Sequence, residues 1–430
     1  MTSSSTPLHQ LDAWQAATLL ARRELQAVDL VRACLDRIAE REPQLQAFVQ
    51  LGADAALAMA RELDAGPVRG LLHGLPFGVK DLFDTFDLPT AYGSPIYAGQ
   101  QPLADAAAVA LCREAGAVLL GKTVTTELAN MFPGVTRNPH HPDHTPGGSS
   151  SGSAAAVADA MLPLALGTQT AGSLIRPAAF CGVVGYKPSH NRVPRAGVKS
   201  LSETLDTVGG FARSVRDVAL LGAVLTGDAR LADPAAFAQG AAPRIGFCRT
   251  PEWAQADEDT QQAWAQAEAA LAGHGVPLAL PPELSGLVAV QKEVQAFETA
   301  RSLSHERLRH RDQLSAPLQA LIATGLAIGG DTHVHNLQVT AQARRQVQAL
   351  FGPHDVLLAP SSIGEAPAGL DGTGDPLFCR TWTLLGLPCV HLPFARGRHG
   401  LPVGLQLVGA HGDDHRLLAA AHWVHARLSR

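Results

Sequence analysis

The sequence predicts an α/β protein built as one large domain. Three observations carry that expectation. From about Gly74 onward, short apolar runs of strand length alternate with helical stretches, the pattern of sheet strands joined through packed helices. With 46% apolar and 17% charged residues, the 430-residue chain has enough apolar surface for a sizeable core. The 41 glycines and 29 prolines are spread along the whole chain, so they mark many short turns rather than one flexible linker between domains.

Taken in order, Leu11 to about Phe48 reads as helical: Leu30, Cys34 and Ile38 recur every four residues, Val31 and Leu35 fill the adjacent stripe, and Asp29 is the expected N-cap. Residues 1–70 therefore form an outer helical layer. Residues 74–227 are the expected core, with strands at Phe77 to Val79, Val118 to Leu120, Leu162 to Leu166 and Gly182 to Tyr186. Helices are expected at Asp105 to Ala115 and Gly152 to Ala160. Runs this short and apolar suit strands covered on both faces. Residues 228–350 turn rich in Ala and Gln and read as a helical elaboration that shapes a ligand pocket, interrupted by one strand at Arg244 to Cys248. Residues 351–430 return to strands, at Asp355 to Ala359, Pro388 to Leu392 and Val403 to Val408, and close on a helix from Asp413 to Leu428.

Composition excludes several classes of function. A net charge of −5 and the lack of any run of five Lys/Arg disfavour a nucleic-acid or anionic-membrane surface. No run of 18 apolar residues is present, and Met1 to Leu8 has neither the basic nor the apolar region of a secretory leader. The six cysteines are widely separated with no C-x-x-C pair, which suits reduced thiols in a cytoplasmic protein. Oligomeric state is left open, a homodimer included.

Three motifs mislead. Gly116 to Thr123 satisfies G-x-x-x-x-G-K-[ST], but its four variable residues, Ala-Val-Leu-Leu, read as a strand where a phosphate loop needs open backbone. Gly148 to Gly152 satisfies G-x-S-x-G around Ser150, yet the proline-rich stretch before it is no buried strand. His140, His141 and His144 sit in a proline-rich loop without a matching carboxylate or cysteine partner, and His333 and His335 point to different helix faces, so hydrogen-bonded or solvated histidines are expected rather than a metal.

The stretch Thr145 to Lys187 is different, because it concentrates Gly, Ser and Thr beyond what a structural segment needs. Ser149 follows Gly147-Gly148 and Ser173 follows Ala171-Gly172, small pairs that let backbone N–H groups turn toward a bound molecule. Upstream, Leu75 to Val79 leads apolar sequence directly into Lys80. Serine is a weak nucleophile and needs a base within hydrogen-bond reach. A lysine serves only when neutral, so its pKa must fall about three units from ~10.4, which burial supplies. Taken alone, Lys80 reads more readily as a surface lysine paired with Asp81 or Asp84.

Together these residues resemble the amidase signature family, whose hallmark is a Ser-cisSer-Lys triad in a Gly/Ser-rich block followed by G-T-x-x-G-S-x-R-x-P. The match lies in Lys80 after Gly-Val, Ser149 after Gly-Gly, and Gly167 to Pro177 around Ser173. It is strongest over residues 74–191 and continues more weakly through 358–360, 382–388 and 401–408. The resemblance implies a central mixed β-sheet flanked by helices. It makes Ser173 the nucleophile, Ser149, after a cis peptide, the proton relay, and Lys80 the base. The backbone N–H groups of Thr170, Ala171, Gly172 and Ser173 are then the oxyanion donors, and no metal or organic cofactor is required. Arg176 is implied as a partner for a substrate carboxylate, with an internal structural role the alternative. Thr168, Gln169 and Thr170 either orient the triad or satisfy the loop backbone. Glu127 and Cys181 read as structural.

This chain departs from the family pattern in two places: Ala171 stands where Gly is usual, and Gln169 where Asp is common. The implied activity is hydrolysis of the C–N bond of small linear amides, extending to aryl amides, esters or carbamates (urethanes). The alternative is the glutamine-hydrolysing subunit of a transfer-RNA amidotransferase. A binding protein with lapsed chemistry would have no physical need for Lys80, Ser149 and Ser173 together.

Overall fold

A computed structural model describes residues 6–237 and 242–429. Residues 1–5, on which the expectation of a leaderless amino terminus partly rests, lie outside the described residues. Among the described residues, eleven strands form one sheet: β1 (Phe48–Leu51), β2 (Pro76–Lys80), β3 (Val118–Thr123), β4 (Leu164–Gln169), β5 (Val184–Lys187), β6 (Thr207–Ala212), β7 (Ile245–Cys248), β8 (Gly275–Leu278), β9 (Val356–Pro360), β10 (Cys389–Arg396) and β11 (Pro402–Val408). Their order across the sheet is β1-β3-β2-β4-β6-β5-β10-β11-β9-β7-β8. β2 runs parallel to β3 and β4, and β7 parallel to β8 and β9, while the remaining pairs are antiparallel. The sheet is therefore mixed, and helices flank it. β2 to β6 are buried along their whole length, as expected for strands covered on both faces.

Several expectations need correction. The helix Ala27–Leu45 has Gln26 at its N-cap position, with no capping bond from that side chain, and Asp29 inside its first turn. Its cap comes from a neighbour instead: the Asp64 carboxylate accepts from Ala27 N at 2.6 Å and Val28 N at 3.0 Å, satisfying two orphan donors that a local side chain usually takes. Phe48 does not end a helix but opens β1, an edge strand. The region expected to hold one strand between 228 and 350 holds two, since Gly275–Leu278 pairs with β7 as the far edge; Pro277 suits an edge strand, where a missing N–H costs nothing. β6 carries no clear strand signal in the sequence. Its Gly209-Gly210 pair suggests a turn, but a Cβ on Gly209 would stand 2.2 Å from Tyr186 O, so these glycines admit close strand packing.

The Walker-like string is a strand, as its apolar residues suggest. Lys122 lies in β3 with its amine enclosed, donating to Phe83 O and Thr90 Oγ1, both at 2.6 Å, and paired with Asp81 at 3.2 Å. The six cysteines are free and buried. Among the described residues, no group of three His, Cys, Asp or Glu gathers as a metal site. His140 Nε2 and His144 Nδ1 bond the carbonyls of Cys181 and Ala366 instead. No described helix is long and apolar enough to cross a membrane.

Candidate active site

Parallel pairing of β2 with β4 sets Val79 opposite Leu166, so both strands end on the same side of the sheet. Lys80 is the last residue of β2 and Thr168 the penultimate residue of β4. At that shared end Lys80 Nζ lies 2.6 Å from Ser149 Oγ and 2.7 Å from Thr168 Oγ1. Lys80 is 0% exposed. Burial drives its pKa down to about 7, against an opposing pull from the Asp206 carboxylate. Its amine is therefore available as a base near neutrality, and the surface pairing with Asp81 or Asp84 is not what the structure contains: Asp81 belongs to Lys122.

Ser149 sits just ahead of the buried helix Ser151–Ala158, after a cis Gly148–Ser149 peptide. Glycine is required at 148, because a Cβ there would stand 2.8 Å from Thr373 Cγ2. Ser150 is held apart from this chemistry: its hydroxyl is fully buried and bonds Thr168 O at 3.3 Å. Ser173 lies in the turn between β4 and the helix Ile175–Cys181 and is 7% exposed against 1% for Ser149.

The turn from Thr170 to Ser173 has a defined polarity. Three of its carbonyls are taken: Gln291 Nε2 donates to Thr170 O at 3.1 Å, Thr383 Oγ1 to Ala171 O at 2.8 Å, and Arg176 N to Gly172 O at 2.8 Å. The N–H groups of Ala171, Gly172 and Ser173 donate to no acceptor among the described residues. Carbonyls anchored outward leave these donors for an incoming oxygen, the requirement for main-chain stabilisation of an oxyanion. Ala171 in place of glycine keeps its N–H, so this departure leaves the donor set intact. Gly172 brings the turn against the helix Leu377–Leu384, since a Cβ would meet Pro376 Cβ at 2.6 Å.

Gln169, the second departure, ties the turn down: Oε1 accepts from Leu174 N and Ile175 N at 2.9 and 3.0 Å, and Nε2 donates to Thr383 Oγ1 at 2.9 Å. Thr170 Oγ1 donates to half-buried Asp206 at 2.6 Å, and desolvation pushes that carboxyl above its usual range. Arg176 spans the site. Its Nη2 donates to Gly148 O at 2.7 Å and its Nη1 to Gly374 O, so both ends of the guanidinium rest on backbone. Glu127 accepts from the backbone and hydroxyl of Ser315, away from the serines, and Cys181 packs on Pro146 O.

Residues 29–418 match the family described as Amidase. The chain belongs to the amidase signature family. This amidase is 36% identical to a glutamyl-tRNA(Gln) amidotransferase subunit from Roseiflexus castenholzii, over 96% of this chain and 95% of that protein. It is 33% identical to the putative amidase AmiD of Mycobacterium bovis, over 96% and 94%. Among solved structures, the peptide amidase of Stenotrophomonas maltophilia superposes with a TM-score of 0.82 at 29% identity, covering 98% of this chain and 97% of that one. The protein is accordingly an amide-hydrolysing enzyme acting on C–N bonds.

Sequence reasoning missed four residues that surround the amidase site: Asp206, Gln291, Arg380 and Thr383. None sits in the Gly/Ser-rich block, and Gln291 and Thr383 reach the turn from 121 and 212 residues downstream of the residues they hold. No spacing rule connects them; Gln and Thr in a helical stretch read as solvated.

Proposed function

We propose that this amidase hydrolyses small linear amides through Ser173, with Ser149 relaying a proton to Lys80. Carbamates, esters and aryl amides fall in the same reach because each presents a carbonyl with a displaceable group. The observation that carries the reading is the buried Lys80 amine 2.6 Å from Ser149 Oγ with its pKa near 7. Ser173 Oγ attacks the carbonyl carbon as its proton passes through Ser149 to Lys80. The oxygen, now negative, is met by the free N–H groups of Ala171, Gly172 and Ser173, with Thr170 completing the set. Donors of this kind are worth ~2.7–4 kcal/mol each in the transition state. The proton then returns along the same path to the departing amine, and water releases the acyl group from Ser173. Arg176 acts as a positioning residue that fixes the Gly148 carbonyl, a reading its backbone partners support over direct capture of a substrate carboxylate. Six buried free cysteines support a reducing, cytoplasmic setting.

The test is turnover of an anilide and a short aliphatic amide by the purified chain. Ser173→Ala should abolish it with the fold intact; a variant that still cleaves at wild-type rate overturns the assignment.

The 36% identity to a component of a transfer-RNA amidotransferase favours a second reading, hydrolysis of glutamine within a multi-chain assembly. Robust turnover of simple amides by the chain alone decides for the first reading; activity that appears only with added partner chains decides for the second.

A further inference from the structure

β2, β4 and β6 lie side by side, and the outer two bring opposite charges to the end of the middle one. Lys80 closes β2, while Asp206 stands one residue before β6, which pairs with β4 through Thr207 opposite Gln169. The backbones of β2 and β6 are two strand spacings apart, about 9.6 Å. Two hydroxyls fill that gap. Thr168 Oγ1 meets the Lys80 amine at 2.7 Å, and Thr170 Oγ1, just past the end of β4, donates to Asp206 Oδ1 at 2.6 Å. Thr168, Thr170 and Asp206 line one cavity of about 530 Å³.

The Asp206 carboxylate is held on both oxygens. Oδ1 takes Thr170, and Oδ2 accepts from Leu201 N at 2.8 Å, Ser202 N at 3.0 Å and Ser200 Oγ at 3.4 Å. These donors are neutral, so they orient the carboxylate without cancelling its charge. Burial favours its protonated form; the Ser202, Thr170 and Leu201 donors, and then Arg195 on the wall of the same cavity, favour the ionised one. The other charged groups of that wall are committed elsewhere: Arg195 pairs with Glu203 at 3.2 Å, and Lys199 with Glu306. Asp81, beside Lys80 in sequence, belongs to Lys122. Asp206 is thus the carboxylate whose field reaches the Lys80 amine, favouring its protonated form where burial favours the neutral one. Both influences are needed, because an amine made too weakly basic cannot draw a proton from a serine.

We propose that Asp206 is a positioning residue of the reaction, the counter-charge that keeps the Lys80 amine basic enough to draw a proton through Ser149. It acts through the lysine alone, so the proposal rests on Lys80 as the base. The test follows kcat/KM on an anilide from pH 5 to 9. Asp206→Asn removes the charge and keeps an acceptor for the Leu201 and Ser202 amides. Its acid limb should move to lower pH by about one pH unit, and its plateau kcat should fall about threefold or more as the base weakens. Asp206→Glu should keep the limb near its wild-type position. Thr170→Val breaks the same hydrogen bond but leaves the charge, so it should lower kcat without moving the limb. An asparagine variant with the wild-type limb overturns the proposal, and so does an equal movement in Thr170→Val, which would make the hydrogen bond the cause. Asp206→Ser stands in if the asparagine variant fails to fold.

A readout independent of turnover is the lysine itself. The chain has five lysines, so in protein carrying 13C-labelled lysine the Lys80 Cε resonance can be identified by its loss in Lys80→Met and titrated without substrate. Its midpoint should fall in Asp206→Asn and hold in Asp206→Glu and Thr170→Val; a midpoint indifferent to the Asp206 charge overturns the proposal. A falling midpoint alongside rates that ignore pH in every variant would remove Lys80 as the base while leaving Asp206 as its counter-charge.

Discussion

Lys80 Nζ lies 2.6 Å from Ser149 Oγ inside a site with no solvent at the lysine. Because the amine accepts a proton only when neutral, and its pKa is about 7, kcat/KM should rise with pH through that region and level off above it. Below about pH 6 the rate should fall tenfold per unit. Steady-state rates on an anilide from pH 5.5 to 9 check this, and a flat profile down to 5.5 would rule out Lys80 as the base.

The same burial affects stability. Unfolded, Lys80 titrates near ~10.4, so between about 7 and 10.4 the unfolded chain carries one proton more than the folded one. Its contribution is most favourable above the unfolded value and declines as pH drops to about 7, where it becomes constant. Relative to Lys80→Met, the wild type should gain stability as pH rises from 7 to 10, by up to roughly 4 kcal/mol. Urea melts of both proteins at the two pH values measure this; a gap that does not move with pH contradicts it.

Arg176→Lys should be far from conservative. A lysine supplies one point of charge where the guanidinium bridges Gly148 O and Gly374 O, and it leaves one buried carbonyl unmet at a cost of about 1–3 kcal/mol. A kcat reduced ten- to a hundredfold is expected, with KM changed far less. An Arg176→Lys enzyme with wild-type kcat would show that the Gly148 carbonyl needs no such anchor.

Thr383→Val keeps the side chain's shape and removes only the hydroxyl that joins Gln169 Nε2 to Ala171 O. Two buried polar groups lose their partner, which places the stability loss at about 1–3 kcal/mol. Since the proposed mechanism gives Ala171 N–H to the oxyanion, kcat should drop more than tenfold while substrate affinity holds. Thermal melts and kcat together test this, and a drop in stability alone would make Thr383 purely structural.

Much of the candidate site is legible in the sequence because its proposed reacting groups lie in or beside compact segments. Lys80 ends an apolar strand, and both serines follow small-residue pairs inside one block, so local chemistry already singles them out. The strand within Gly116 to Thr123 is likewise readable from Val118-Leu-Leu120 despite its deceptive glycines and lysine. Residues that act across the fold are not. Arg380 and Gln291 gain meaning only once two distant helices meet the Ser173 turn, and β6 hides behind Gly209-Gly210, whose missing side chains serve packing rather than turning. Asp64 shows the same limit at small scale: it caps a helix that begins 37 residues earlier.

Placing the lysine at the last position of a central, fully enclosed strand has a kinetic consequence. A long aliphatic amine in water samples many rotamers, and freezing them costs about 2 kcal/mol. Here that loss is incurred when the chain folds, so on the proposed mechanism each cycle starts with the proton acceptor already in register and no arm has to swing in before bond-making begins.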